Sequence, residues 1–131
     1  MGCNYRELQK MYESYLAIYN ELENWLKDFL LEQGKWLLAE TKDRTPVDSG
    51  YLRKSWRITR VYRLPSGNLG FVLMNDADYA SYVENGHTTR NREGWVEGYY
   101  MATISIAKLD QYMPRRFDRE FKKFLASHGV S

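Results

Sequence analysis

The sequence predicts an α+β domain: a long N-terminal helix, a small antiparallel β-sheet and a C-terminal helix packed on that sheet. Three observations predict it. An apolar stripe of helical period fills the first forty residues, the pattern changes to period two beyond Pro46, and helical spacing returns after Gly98. At 131 residues the chain fits one domain with a modest core, 1–131.

Residues 1–43 read as helical. Leu8, Tyr15, Leu22, Phe29 and Trp36 recur every seven positions, and Met11 or Tyr12, Ile18 or Tyr19, and Trp25 or Leu26 fall between them. Charged side chains occupy the other face. Asn4, with Glu7 three residues on, forms a capping pair at the start. A helix from Tyr5 to Lys42 would be about 57 Å long, longer than a domain of this size is wide. Either Gly34 bends it, or part of the stripe packs on a neighbouring subunit.

Thr45-Pro46 ends the helix, because Pro46 disfavours a helical Thr45 and has no N–H to donate. Asp48-Ser49-Gly50 reads as a turn, with Asp48 accepting backbone N–H groups and Gly50 free to take a positive φ. A β-hairpin is expected over 51–74. Leu52, Trp56, Ile58, Tyr62 and Leu64 fall on one face of its first strand, and Arg53, Arg57 and Arg63 on the other. Pro65 to Asn68 makes the turn.

Residues 79–86 read as a short helix or turn with Gly86 as the residue after its end. Residues 87–97 are polar and aperiodic, so a loop is expected there. Residues 98–127 are helical, as one stretch to about Tyr112 and another begun by Pro114, with Phe117, Phe121, Phe124 and Leu125 on one face.

Eleven tyrosines and four tryptophans give the chain many side chains that suit either a small core or a surface buried against other proteins. One cysteine, Cys3, excludes an internal disulfide and a cysteine-based metal site. A reducing compartment is compatible with that usage. Arg6 stands where a myristoylation signal needs Ser or Thr, and no apolar run suits a signal peptide or a membrane span. A soluble protein outside the usual secretion route, with no membrane partner, is therefore expected.

Charge is distributed in blocks. Residues 1–40 carry a net of −3, 41–70 a net of +5, 71–100 a net of −3 and 101–131 a net of +3. Alternating blocks suit head-to-tail contact between identical subunits, although a scattered solvated surface gives the same counts.

Chemistry finds little support. Asp76, Asp78, Glu84 and His87 could be assembled into a metal-dependent hydrolase site, but Gly86 breaks the helix that such a motif needs. No nucleophile elbow and no phosphate-binding glycine loop is present. Catalysis is not expected, and no cofactor is implied. Arg53, Arg57, Arg60 and Arg63 could meet DNA phosphates as a binding module, although arginine-rich strand faces are more often solvated edges or partner contacts.

Two longer motifs carry a resemblance. The run Thr45-Pro46-Val47-Asp48-Ser49-Gly50-Tyr51-Leu52-Arg53-Lys54-Ser55 resembles the TPVDTGxLRxS signature of tailed-bacteriophage neck proteins. This is the head–tail connector or tail-completion family that includes the gene-ten product of the Hong Kong 97 phage. Tyr79-Ala80-Ser81-Tyr82-Val83-Glu84-Asn85-Gly86 resembles that family's YAxYVExG, in the right order and at the right separation. A third block, Gly94 to Met101, is similar to the family's approach to its last helix, with Glu97 and Tyr99 where proline or arginine is frequent.

The resemblance makes Thr45, Pro46, Asp48, Gly50, Leu52, Ser55, Tyr79, Ala80, Tyr82, Val83, Glu84 and Gly86 the fold-defining residues. It implies a structural subunit of the virion neck, assembled in the host cytoplasm, forming a hexameric or dodecameric ring through which DNA passes. The partners implied are head-closure or connector proteins and tail-completion or tail-tube proteins, with non-specific DNA contact in the lumen. Contacts are expected at Tyr12, Tyr19 and Trp25 on the helix stripe, at Arg53, Arg57 and Arg63, and at Glu84, His87, Arg90, Arg92 and Trp95 around the loop.

Overall fold

The computed structural model describes residues 4–46 and 50–130. Helix α1 spans Tyr5–Asp43 without a break at Gly34. Its start is capped as the sequence predicts, with the Glu7 N–H donating to the Asn4 side-chain oxygen at 2.9 Å. Its end is held by threonines. The Thr41 hydroxyl donates to the Leu37 carbonyl (2.7 Å) and the Thr45 hydroxyl to the Thr41 carbonyl (2.8 Å). Gly34 is a notch for tertiary packing: a Cβ there would lie 3.0 Å from Ile58 Cδ1 and 3.3 Å from Phe71 Cε2.

Val47, Asp48 and Ser49, including the turn expected at Asp48, lie outside the described residues. Beyond them the expectation of a strand from Tyr51 is corrected. Gly50–Lys54 is a short helix, α2, closed by Ser55, whose N–H donates to the carbonyls of Tyr51 (3.0 Å) and Leu52 (3.2 Å). Leu52 and Trp56 are four residues apart, so they share a face in either kind of element. Both are buried, and period alone could not decide between them.

The hairpin follows in two pieces. β1 (Trp56–Ile58) pairs antiparallel with β4 (Leu73–Asn75), Trp56 opposite Asn75. β2 (Tyr62–Arg63) pairs with β3 (Leu69–Gly70). Between the pieces Thr59 clasps Val72, donating its N–H to the Val72 carbonyl and accepting the Val72 N–H on its hydroxyl, both at 2.9 Å. The Pro65–Asn68 turn is as expected, with Gly67 at φ +91°.

α3 (Ala80–Asn85) ends at Gly86, which takes φ +82° and donates its N–H to the Tyr82 carbonyl (2.9 Å). The expected loop 87–97 contains a third antiparallel pair, β5 (His87–Thr88) with β6 (Trp95–Val96). Its connection is organised by Thr89, which bonds Gly94 in both directions at 2.9 Å and accepts the Arg92 N–H on its carbonyl.

α4 is a single helix, Met101–Ser127, with Pro114 inside it rather than at a new start. It runs antiparallel to α1. Trp36 meets Tyr112, Trp25 meets Phe117, Phe121 and Phe124, and Glu21 meets His128. Trp25, Phe29 and the three phenylalanines form a continuous aromatic cluster between the helices, with ring centroids 5.3–6.1 Å apart. The core proper is Leu52, Trp56, Ala77 and Met101, with Leu38, Leu73, Ala80, Val83 and Ala102 packed around it.

Candidate assembly site

The motifs singled out in the sequence converge on one junction. Trp56 donates its indole N–H to the Thr45 hydroxyl (2.9 Å), which ties the end of α1 to the first strand. The Asn75 amide donates to the Leu52 carbonyl (2.9 Å), and its side-chain oxygen accepts the Ala77 N–H (2.8 Å). Leu52, Ala80 and Val83 all face the core around Met101, which has no exposed surface.

Glu84 holds the junction to α4. Tyr100, the residue before that helix, has φ +51° and offers no side-chain cap. Glu84 supplies the cap from α3: one carboxylate oxygen accepts the Ala102 N–H (2.9 Å), and the other accepts the Thr103 N–H (2.8 Å) and hydroxyl (2.6 Å). A carboxylate beside a helix N-terminus also meets the positive end of its dipole. Backbone bonds from Tyr99 to the Val83 carbonyl (2.8 Å) and from Tyr100 to the Glu84 carbonyl (3.0 Å) complete the contact. Such close approach requires glycine on both sides. A Cβ on Gly98 would lie 2.3 Å from the Glu84 carbonyl oxygen, and one on Gly86 2.4 Å from that of Val96.

The arginines do not form one face. Arg53 lies on α2 and pairs with Asp43 (3.3 Å), Arg57 on β1 with Asp76 (2.8 Å), and Arg63 on β2 with Glu23 of α1. Arg60 lies in the break between β1 and β2. Exposed pairs of this kind stabilise by about 0–1 kcal/mol each, so they orient side chains more than they hold the fold.

Around the third hairpin, Arg90, Arg92, His87, Tyr79 and Tyr82 line an open cleft of about 520 Å³. The His87 ring meets Tyr82 edge-on at 5.7 Å, and its Nδ1 is buried without a hydrogen-bond partner. Trp95, on β6, is exposed. Of the expected stripe contacts, Trp25 is enclosed by the aromatic cluster, whereas Tyr12 and Tyr19 face outward. The components of the supposed hydrolase site are occupied elsewhere, Glu84 on α4 and Asp76 on Arg57. No three metal-ligating side chains come together among the described residues.

The sequence reading missed several structural residues. Arg116 stacks over Trp36 at 4.7 Å while bonding Gln33 (3.2 Å), and Lys108 reaches Glu40 (3.3 Å). Lys108, and then Arg44, hold the Glu40 carboxyl below the usual carboxylate range. At the other end of the helix pair His128 donates from Nδ1 to the Phe124 carbonyl (2.9 Å) and from Nε2 to Glu21 (2.7 Å), which raises its pKa. A remote cap for α4 was signalled by one thing: none of Gly98, Tyr99 or Tyr100 carries the short oxygen-bearing side chain of Ser, Thr, Asp or Asn that caps a helix N-terminus.

Comparison with known proteins decides the class. The family described as "Bacteriophage HK97-gp10, putative tail-component" matches residues 6–86, the span from α1 through α3. The chain belongs to the HK97-gp10-like family. It is accordingly a structural phage protein of the tail-component type, with an α+β fold of long N-terminal helix, small antiparallel sheets and C-terminal helix. The match includes both longer motifs and stops at Gly86, so the Glu84 cap carries the family-defined part onto α4. No curated protein and no solved structure matches the chain. No helix among the described residues is long and apolar enough to cross a membrane.

Proposed function

We propose that this HK97-gp10-like chain is a structural subunit of the phage neck, joining or completing the head–tail connection as a hexameric or dodecameric ring. Membership in a family of tail components supports the structural role. The observation that carries the assembly role is where the unused apolar surface lies. The motif residues Thr45, Leu52, Ala80, Val83 and Glu84 are committed to the internal junction, while Tyr5, Tyr12, Tyr15, Tyr19 and Trp95 remain outside, and aromatic side chains of this kind are what protein interfaces bury.

The proposed neighbours are head-closure or connector proteins on one side and tail-completion or tail-tube proteins on the other, in the neck of the virion. Assembly takes place in the host cytoplasm. DNA passing through the ring meets exposed arginines only as non-specific phosphate contacts. No step in this role needs a cofactor.

A phage lacking the gene tests the role directly. The expected result is filled heads and tails that accumulate unjoined and are joined when the purified protein is added. Normal yields of intact, infectious particles would contradict it.

A further inference from the structure

α1 outruns its partners. The end of α4 at Ser127 and the following His128 share a shallow pocket with Lys10, Glu13, Ser14 and Ala17, and His128 bonds Glu21. The first turns of α1 therefore stand clear of α4, and on the far side the hairpin approaches only at Tyr19, which shares an open pocket with Arg63, Gly67, Asn68 and Leu69. That projecting ridge carries Leu8, Met11, Tyr12, Tyr15, Leu16 and Tyr19, with Tyr12 66%, Tyr15 56% and Tyr19 77% exposed. An isolated helix of this length is marginal in water, and a contiguous apolar patch of this size marks an interaction surface.

Further along the same helix lies a hollow. Leu26, Phe29 and Leu30 of α1 with Met113, Pro114 and Phe117 of α4 line an open trough of about 510 Å³, and its only charged lining residue is Asp118. Pro114, inside its helix, adds an apolar ring to that wall.

We infer that the ridge of each copy seats in the hollow of a second copy of this same chain. The inference rests on the ring reading and specifies its contact. Three observations favour a second copy as occupant. At roughly 150–250 Å² per aromatic side chain, the exposed parts of the three ridge tyrosines come to about 400 Å², and the leucines and methionine bring the ridge toward the roughly 800 Å² per partner of a standard interface. The ridge is also electrically balanced, with Arg6 and Lys10 against Glu7 and Glu13, so it brings no net charge to an apolar trough. Finally, within the chain the continuation of this stripe at Trp25 and Phe29 is already covered by Phe117, Phe121 and Phe124 of α4, so the chain presents the kind of wall that the stripe packs against. Ridge and hollow are different surfaces and each copy offers one of each, the arrangement of a head-to-tail contact that closes into a ring when the rotation allows.

Disulfide trapping tests the seat in full-length protein with Cys3→Ser. Tyr12 and Leu26 are about 21 Å apart along one helix, far beyond the roughly 7 Å limit between bridged Cα atoms, so a bond between Tyr12→Cys and Met113→Cys forms only between copies. The expected result is a ladder of disulfide-linked multimers in the double variant and none in either single variant. Tyr12→Glu/Tyr15→Glu should become monomeric with an unchanged melting temperature. Multimers that persist in the Glu variant without the 12–113 link would overturn the seat while leaving the ring standing. A bond between two copies of the Tyr12→Cys single variant would show ridges pairing with each other and overturn it as well. A wild-type chain that stays monomeric both alone and with its connector and tail proteins would remove the ring and this contact together.

Discussion

Glu84 on α3 holds Thr103 on α4 through two bonds to one carboxylate oxygen, from the Thr103 N–H at 2.8 Å and from its hydroxyl at 2.6 Å. The glutamate of the second motif is thus the N-terminal cap of a helix that begins seventeen positions after it in the chain.

Glu84→Ala should lower stability by about 1–2 kcal/mol, the range for loss of a helix cap, and the melting temperature by about 4 °C per kcal/mol. Glu84→Gln keeps one acceptor and should lose about half as much. Thermal unfolding followed by circular dichroism checks both. A Glu84→Ala protein that melts like the wild type but fails to assemble would instead make Glu84 an interface residue.

Gly86→Ala and Gly98→Ala should each cost more than about 2 kcal/mol, since each new Cβ meets backbone within 2.4 Å and Gly86 also has a positive φ. Gly50→Ala meets nothing within 4 Å and should leave stability within about 0.5 kcal/mol. Denaturant midpoints of the three variants separate close approach from a general dependence on glycine.

Thr45→Val should cost about 1–3 kcal/mol, because it leaves the buried Trp56 indole N–H without its acceptor. Thr45→Val combined with Trp56→Phe should cost less than the two single changes added together. Additive losses would mean that the hydrogen bond contributes nothing.

Contact between the C-terminus of α4 and α1 should depend on pH. The Phe124 carbonyl, and then Glu21, raise the pKa of His128 above its ordinary 6.5. Its stabilisation is therefore complete below about pH 6.5 and is lost as pH rises through the raised folded value. The melting-temperature difference between wild type and His128→Asn should be largest at pH 5–6 and vanish in the alkaline range. A difference that grows with pH would contradict the assignment.

Legibility in the sequence followed locality. α1 was readable because its stripe, its Asn4 cap and the Pro46 stop are all local signals. The hairpin turn was readable for the same reason, through Pro65 and Gly67. α2 was not, because Leu52 and Trp56 satisfy helix and strand periods equally. The β5–β6 pair was hidden because hydrogen bonds of Thr89 and Gly94, rather than alternating apolar residues, hold it. Pro114 suggested a boundary that the packing of Phe117 and Phe121 on Trp25 overrides. The candidate site was legible as a set of residues but not as a division of labour. Glu84 and Trp25 face inward to structural tasks, Tyr12 and Tyr19 face outward, and each of Arg53, Arg57 and Arg63 finds its carboxylate partner on a segment other than its own. None of those pairings has a local signature.

Native mass spectrometry of the purified chain, alone and mixed with its phage's connector and tail proteins, tests the central claim most directly. The account predicts one closed species of six or twelve copies in at least one of the two conditions. A strict monomer in both would contradict it.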